Sequence, residues 1–363
     1  MNAGSQLLGL LYFSTVFSIR TDNRIELVFV FVIAHINGVS QQGQAPSPMV
    51  DHTRPHPRLT QIELSGQRIE LKTLKGARLF IGPHVNPNKP VPLLIHFHGA
   101  PWLIERHVVL KLPRAALITV QLGAGSSAYR RPFEQPELFQ NLLGEAGEQL
   151  RLKRGWSSIS LSGFSAGYGA VREILSRPEY FALVNNILLL DGMHTSYAPE
   201  GKPLADGGAI DRAGLEAFIS FAREAVAGRK TFVVTHSEIF PGTYASTTEC
   251  ADYLLAQLDL KRQPQLRQGP LGMQQLSAVD VSDFHLRAYA GNSAPDHIDF
   301  LHAMPAWFGL LRIRQVYSSH ANLRIRLPGV PSSIRVNRQR KSQSRLSILP
   351  KPSFGKATLS LRS

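Results

Sequence analysis

The chain has 363 residues, of which 43% are hydrophobic and 18% charged, enough apolar material for a sizeable core and too little charge for wholesale disorder. One cysteine, Cys250, excludes an intramolecular disulfide and a cysteine zinc cluster, and no run of 18 apolar residues offers a transmembrane helix. The net charge of +14 is local: twelve of the forty basic residues follow Leu311 and no acidic residue follows Asp299, so residues 1–311 carry only +2 and the body does not read as a nucleic-acid binder.

The start of the chain reads as an address rather than as part of the fold. Arg20 and Arg24 precede the apolar stretch Leu27 to Ile36, small residues Gly38-Val39-Ser40 follow, and a Gln/Pro/Ser-rich linker runs to Pro57. That order resembles a secretory signal around residues 24–40 and places the protein outside the cytoplasm. Glu26 abuts the apolar core and His35 interrupts it, so a buried strand, with the protein then cytoplasmic, is the other reading.

From Leu59 to Leu311, strand and helix patterns alternate. Thr60–Leu64 and Arg68–Leu74 read as a hairpin through Ser65-Gly66, and Leu79–Ile81 as an edge strand. The apolar runs Pro92–Phe97, Ala116–Leu122, Ser158–Leu161, Val184–Leu190, Thr231–Thr235 and Phe284–Ala290 read as buried strands. Between them, Pro136–Leu150, Gly167–Leu175, Gly214–Ala227, Thr247–Leu258 and Ile298–Leu311 read as helices. This alternation predicts an α/β domain over residues 58–311, with a mainly parallel sheet of about eight strands, helices on both faces and no large cap. Residues 1–57 and the Pro-, Arg- and Ser-rich 312–363 fall outside it. The basic tail has too few apolar residues to pack and lacks the interleaved aromatics of a stacking surface.

The residues that carry chemistry cluster at strand ends. Gly163-Phe164-Ser165-Ala166-Gly167 follows one strand and opens a helix. In that context G-x-S-x-G is a nucleophile elbow, a tight turn that holds serine in a strained conformation and aims the Ala166 N–H where an oxyanion forms. Upstream, Pro92–Phe97 runs into His98-Gly99-Ala100-Pro101-Trp102. Here the chain resembles the α/β-hydrolase superfamily of serine esterases, lipases and peptidases over about residues 60–311. The resemblance implies the α/β-hydrolase fold and an oxyanion loop at His98-Gly99. Ala100 is then the second N–H donor, Gly99 and Trp102 stand as alternatives, and Pro101 has no N–H. Gly99, Trp102 and Phe164 would line the substrate pocket. His96 and His98 as a metal pair find no third ligand at suitable spacing.

The resemblance also implies the order serine, acid, histidine. His297, in the loop Gly291-Asn292-Ser293-Ala294-Pro295-Asp296-His297 after the last strand, is the expected general base, ahead of His302. For the acid, Asp191 directly after Val184–Leu190 stands first and Glu238 after Thr231–Thr235 second, with Asp296 a further candidate. His194 and His236 are expected near the cleft, and Cys250 as a core thiol. Gly123-Ala124-Gly125-Ser126-Ser127 lacks the lysine and the following helix of a phosphate loop. The expected activity is hydrolysis of a small-molecule or polymer carboxylic ester through an acyl-enzyme, with no cofactor, metal or specific nucleic-acid partner. The same residues would serve an exopeptidase or amidase, and a non-catalytic protein binding through its basic tail is the reading from another class.

Overall fold

A computed structural model describes residues 14–21, 24–31 and 54–314. The chain divides into two units, residues 1–324 and 325–363, and every described residue belongs to the first. The small-residue stretch 38–40, the linker before 54 and the basic tail after 314 lie outside the described residues. Strands β1 (Ser14–Thr21) and β2 (Arg24–Phe31) pair antiparallel as a two-stranded sheet, so part of the signal-like stretch is strand. Among the described residues, no helix is long and apolar enough to cross a membrane.

The main sheet has ten strands rather than about eight. Strands β3 (Gln67–Glu70) and β4 (Ala77–Ile81) form an antiparallel edge, followed by the parallel strands β6 (Ala116–Val120), β5 (Val91–Phe97), β7 (Trp156–Phe164), β8 (Val184–Leu190), β11 (Thr231–His236) and β14 (Phe284–Tyr289). Antiparallel β13 (Gln274–Val281) and β12 (Gln263–Gln268) close the far edge. The short pair β9 (Tyr197–Ala198) and β10 (Ala209–Ile210) stands apart. The expected hairpin through Ser65-Gly66 is not formed: residues 59–65 are irregular, and β3 turns back through Leu71–Gly76 onto β4. Strand β12 escapes sequence reading because QPQLRQ is a polar edge without alternation, a composition that also discourages edge-to-edge pairing.

The central strands are buried on both sides because both faces of the sheet are covered. Leu93, Ile95 and Phe97 of β5 enter one core with Ile187, Leu189, Phe232 and Val234; Leu94 enters the other with Leu188, Leu190 and Val233. The first core is covered by α2 (Ser126–Phe133), α3 (Leu138–Gln149), α4 (Tyr168–Leu175), α5 (Pro178–Leu183), α6 (Glu216–Val226) and α7 (Thr247–Gln257). The second lies under α1 (Pro101–Lys111) and α8 (Ala294–Ala303).

Helix α8 starts four residues before the expected Ile298, because Ser293 and Asp296 form a capping box. It stops at Ala303, ahead of Pro305, and short 3₁₀ turns continue to Arg314. Those turns pack: Ile313 is buried and the Arg312 N–H donates to Asn186 Oδ1 at 3.0 Å, so the folded body runs past the expected boundary at 311. At its other end, Arg54 and His56 already make side-chain contacts, so the body also begins before residue 58.

The strand order places the site. From β5 the chain passes to β6 on one side, then returns to β7 on the other. The loops leaving the carboxyl ends of β5 and β7 therefore diverge, and a crevice opens between them. Those two loops carry His98-Gly99 and Ser165.

Candidate functional site

Strand β7 ends at Phe164, and Ser165 takes φ 47°, a left-handed conformation that costs a non-glycine residue energy. A 3₁₀ turn, Ser165–Gly167, leads straight into α4. Both flanking glycines are required by space. A Cβ on Gly163 would come within 3.0 Å of the Gly167 carbonyl carbon and the Tyr168 nitrogen, and one on Gly167 would overlap the Phe97 carbonyl. The strand–turn–helix predicted from the motif is thus present, with serine half-exposed at its apex.

Asp191 leaves β8 at φ 44°, its N–H donating to Thr235 O at 2.9 Å. Its carboxylate is buried and accepts four hydrogen bonds. Oδ1 receives the Ser237 N–H at 2.8 Å and the Thr247 hydroxyl at 3.1 Å; Oδ2 receives the Ser237 hydroxyl at 2.8 Å and His297 Nδ1 at 2.6 Å. Burial by itself would raise the carboxyl pKa, but the hydrogen bond and charge of His297 and the Ser237 donors outweigh it and hold the group at about 2. Asp191 is therefore an anion at neutral pH. Glu238 sits elsewhere: its carboxylate accepts the Gly291 N–H at 3.4 Å and its own N–H donates to Gly291 O. Asp296 is committed to the helix cap, accepting from Ser293. Ser237 and Thr247, which complete the Asp191 site, carry no sequence signal, because a hydroxyl near a strand end or helix start is common.

His297 lies in the first turn of α8, its ring 4.6 Å from that of Phe164 at an interplanar angle of 29°. His98 stacks near Phe164 as well, at 5.8 Å and 11°. Phe164 was expected to line the pocket, but it is only 3% exposed. Histidine rings stack near it and the second core packs around it, so it sets the histidine planes instead of presenting a surface. His302, the alternative base, accepts the Leu59 N–H at 3.1 Å on Nδ1.

The loop after β5 is held from beneath. His98 (φ 68°) and Gly99 (φ 138°) both adopt positive φ. Buried His96 donates from Nε2 to His98 O at 2.8 Å and pairs through Nδ1 with the Ser162 hydroxyl at 3.1 Å. Tyr129 gives its proton to Gly123 O and accepts from the Leu122 N–H, which leaves a lone pair for a proton on His98 Nδ1, 2.8 Å away. The two histidines point to different partners and do not form a metal pair. The Gly99 N–H is taken by Gln121 Oε1 at 2.9 Å, whereas Ala100 caps α1 through its carbonyl. Helix α1 itself was not expected. Its polar residues interrupt the apolar spacing, and one of them, Glu105, is buried against Arg68 at 2.8 Å. Trp102, half-buried, packs on the second core.

Two further histidines, His194 and His236, lie after strand β8 and at the end of β11. His194 donates from Nδ1 to Ala245 O at 2.9 Å and lies edge-on between Tyr168 and Tyr244. His236 is buried against Arg262, whose Nη1 lies 2.8 Å from Nε2. A helix, α2, does follow Gly123-Ala124-Gly125, contrary to expectation, and Ser126 at its start accepts from Tyr168 Oη at 3.2 Å. Cys250 is a core thiol, its pKa pushed up to about 12 by burial.

Burial lowers the pKa of several histidines, furthest for His96, to about 3, and for His107 and His236, each to about 4, the last with help from the Arg262 charge. Unfolding returns each to about 6.5, so between pH 6.5 and 4 the unfolded chain binds more protons. Their stabilising contribution is complete above pH 6.5 and is lost as pH falls toward the folded values. Asp191, depressed from 3.8 to about 2, extends the loss over that lower window. The urea midpoint is accordingly expected to fall steadily from pH 7 to pH 4. A flat profile over that range would contradict neutral burial of these histidines.

The fold is of the α/β-hydrolase type in sheet topology and elbow placement. No family model matches the chain, and no curated protein matches it in sequence. Similar solved structures include the feruloyl esterase module from Clostridium thermocellum complexed with sinapinate, at 11% identity and TM-score 0.41 over 76% of this chain and 96% of that one. A carboxylesterase from Bacillus subtilis is similar at 11% identity and TM-score 0.37, covering 68% of this chain and 92% of that one. Acetyl xylan esterase from Aspergillus awamori is similar at 13% identity and TM-score 0.37, covering 68% and 99%. Values this low transfer neither substrate nor residue roles to this chain.

Proposed function

We propose that this protein is a serine hydrolase acting on carboxylic esters, with Ser165 as nucleophile, His297 as general base and Asp191 as the acid that orients it. The observation that carries the reading is the 2.6 Å contact between His297 Nδ1 and the buried Asp191 anion, on a ring set beside the strained Ser165 elbow. An ionised carboxylate only accepts, so the proton of neutral His297 resides on Nδ1 and the lone pair on Nε2. That tautomer can take the Ser165 proton as Oγ attacks the ester carbonyl.

The carbonyl oxygen then becomes an oxyanion. The Ala166 N–H, at the start of the elbow helix, and the Ala100 N–H, at the start of α1, are the proposed donors, since the Gly99 N–H is engaged by Gln121. Proton return from His297 to the leaving alkoxide releases the alcohol and leaves an acyl-enzyme on Ser165. Water deprotonated by His297 attacks that ester, and the second oxyanion collapses as His297 returns the proton to Ser165 Oγ, releasing the acid and restoring the free serine. Gly99 and Trp102 are the proposed pocket wall.

A panel of nitrophenyl esters of increasing acyl length, set beside aminoacyl anilides, tests the reaction class. Turnover of the esters with little on the anilides is the expected result. Preference for the anilides would replace the esterase reading with that of an exopeptidase or amidase on the same residues, and no turnover of either would reject it.

A further inference from the structure

Residues 54–59 lie against the first turns of α8, the helix that carries His297. Arg54 reaches two of its carboxylates, Nη2 to Asp296 Oδ1 at 2.5 Å and Nη1 to Asp299 Oδ2 at 2.5 Å. Arg58 pairs with Asp299 Oδ1 and donates through Nη2 to the Pro295 carbonyl at 2.8 Å. His56 Nδ1 lies 2.9 Å from Asp299 Oδ2. Asp296 and Asp299 are 1% and 0% exposed, and carboxylates so buried demand partners. The partners come from a segment far away in sequence, 241 to 243 residues for three of these contacts.

Asp296 serves two masters at once, accepting from Arg54 on Oδ1 and, on Oδ2, from the Ser293 N–H and hydroxyl at 3.1 and 2.6 Å. The ion pair and the helix cap therefore share one carboxylate, immediately before His297. Below it, Phe300 and Leu301 pack the helix into the second core. His56, Asp296 and Asp299 also place ligand atoms within 4.8 Å of one another. A divalent cation there would have to displace guanidinium groups that already balance the carboxylates, so charge complementarity favours a latch made within the chain.

We propose that Arg54 and Arg58 are positioning residues for His297: the 54–59 segment is a latch that fixes the start of α8 and thereby the line from Asp191 through His297 to Ser165. This rests on the catalytic reading above. Displacing a base by about 1 Å costs up to roughly 100-fold in rate with little effect on substrate binding. Loss of the latch should therefore appear in kcat and not in KM.

The test uses the full-length chain and its Arg54→Ala, Arg54→Lys, Arg58→Ala and Arg312→Ala variants, compared for kcat, KM, rate of fluorophosphonate labelling and Tm. Arg312 pairs with Asp283 and donates to Gly228 O at the opposite ends of the strands, so its loss reports destabilisation alone. Arg54→Ala is expected to lower kcat and labelling rate by about 10- to 100-fold with KM within about 2-fold. Arg54→Lys should recover part of the rate, since an ammonium still meets one carboxylate. Arg312→Ala should lower Tm and leave kcat unchanged. Should Arg54→Ala not fold, Arg58→Ala and Arg54→Lys carry the same comparison, because Arg58 is more exposed. Variants at 54 and 58 that lose Tm but keep kcat, or lose only KM, would overturn the latch. Labelling that persists in Ser165→Ala would instead reject the catalytic reading, whatever the arginine variants do.

Discussion

Ser165→Ala is expected to abolish fluorophosphonate labelling and to lower ester turnover by roughly five to six orders of magnitude, the cost of removing a nucleophile from a serine–histidine pair. The argument runs from the backbone outward. Gly163 and Gly167 let strand β7 and helix α4 cross closely, the crossing forces Ser165 to φ 47°, and that geometry presents its hydroxyl at the carboxyl edge of the sheet. The His297 ring lies against Phe164, one residue before it. Removing one half-exposed hydroxyl takes nothing from the core, so circular dichroism and Tm should match the parent chain. Labelling at another residue, located by peptide mass mapping, would place the nucleophile elsewhere.

Asp191→Asn should lower kcat by about 10⁴-fold, because it imposes the wrong histidine tautomer. The Ser237 N–H and the Thr247 hydroxyl both donate to Oδ1, so the asparagine oxygen must stay there. Its NH₂ group then faces His297 Nδ1, which has to become the acceptor. The proton moves to Nε2, and the imidazole loses the lone pair that Ser165 needs. Glu238→Gln, in contrast, alters a carboxylate tied to the Gly291 N–H and should change kcat little. Comparable losses in both variants, or a loss at position 191 below about 10-fold, would remove Asp191 from the assigned role. The same substitution should flatten the stability profile below pH 4, where the depressed Asp191 carboxyl otherwise takes up its proton.

Much of the architecture is legible in the sequence for local reasons. Runs such as Pro92–Phe97 and Val184–Leu190 read as buried parallel strands because both of their faces must be apolar, a demand visible in five to seven consecutive residues. The elbow is legible for a similar reason: glycines two residues either side of a serine, between strand and helix, satisfy a steric requirement met within one turn. The loop Gly291 to His297 announces a helix start through Ser293 and Asp296.

Other features had no local signature. Helix α1 buries Glu105, which only Arg68 across the fold makes tolerable, and β12 is a polar edge whose pairing depends on its neighbour. The choice between Asp191 and Glu238 also lay beyond the sequence, because both follow buried strands and both adjoin loops facing the same crevice. What favours Asp191 in the proposal is its contact with His297, 106 residues away, set by the order in which β8, β11 and β14 lie side by side. The stretch up to Pro57 reads as linker for the same reason: Arg54 and His56 resemble solvated charge until Asp296 and Asp299 are brought beneath them. Period, turn chemistry and steric glycines act over a few residues and are written in the chain itself. Which buried carboxylate meets which base is a property of strand order, and strand order exists only once the sheet has assembled.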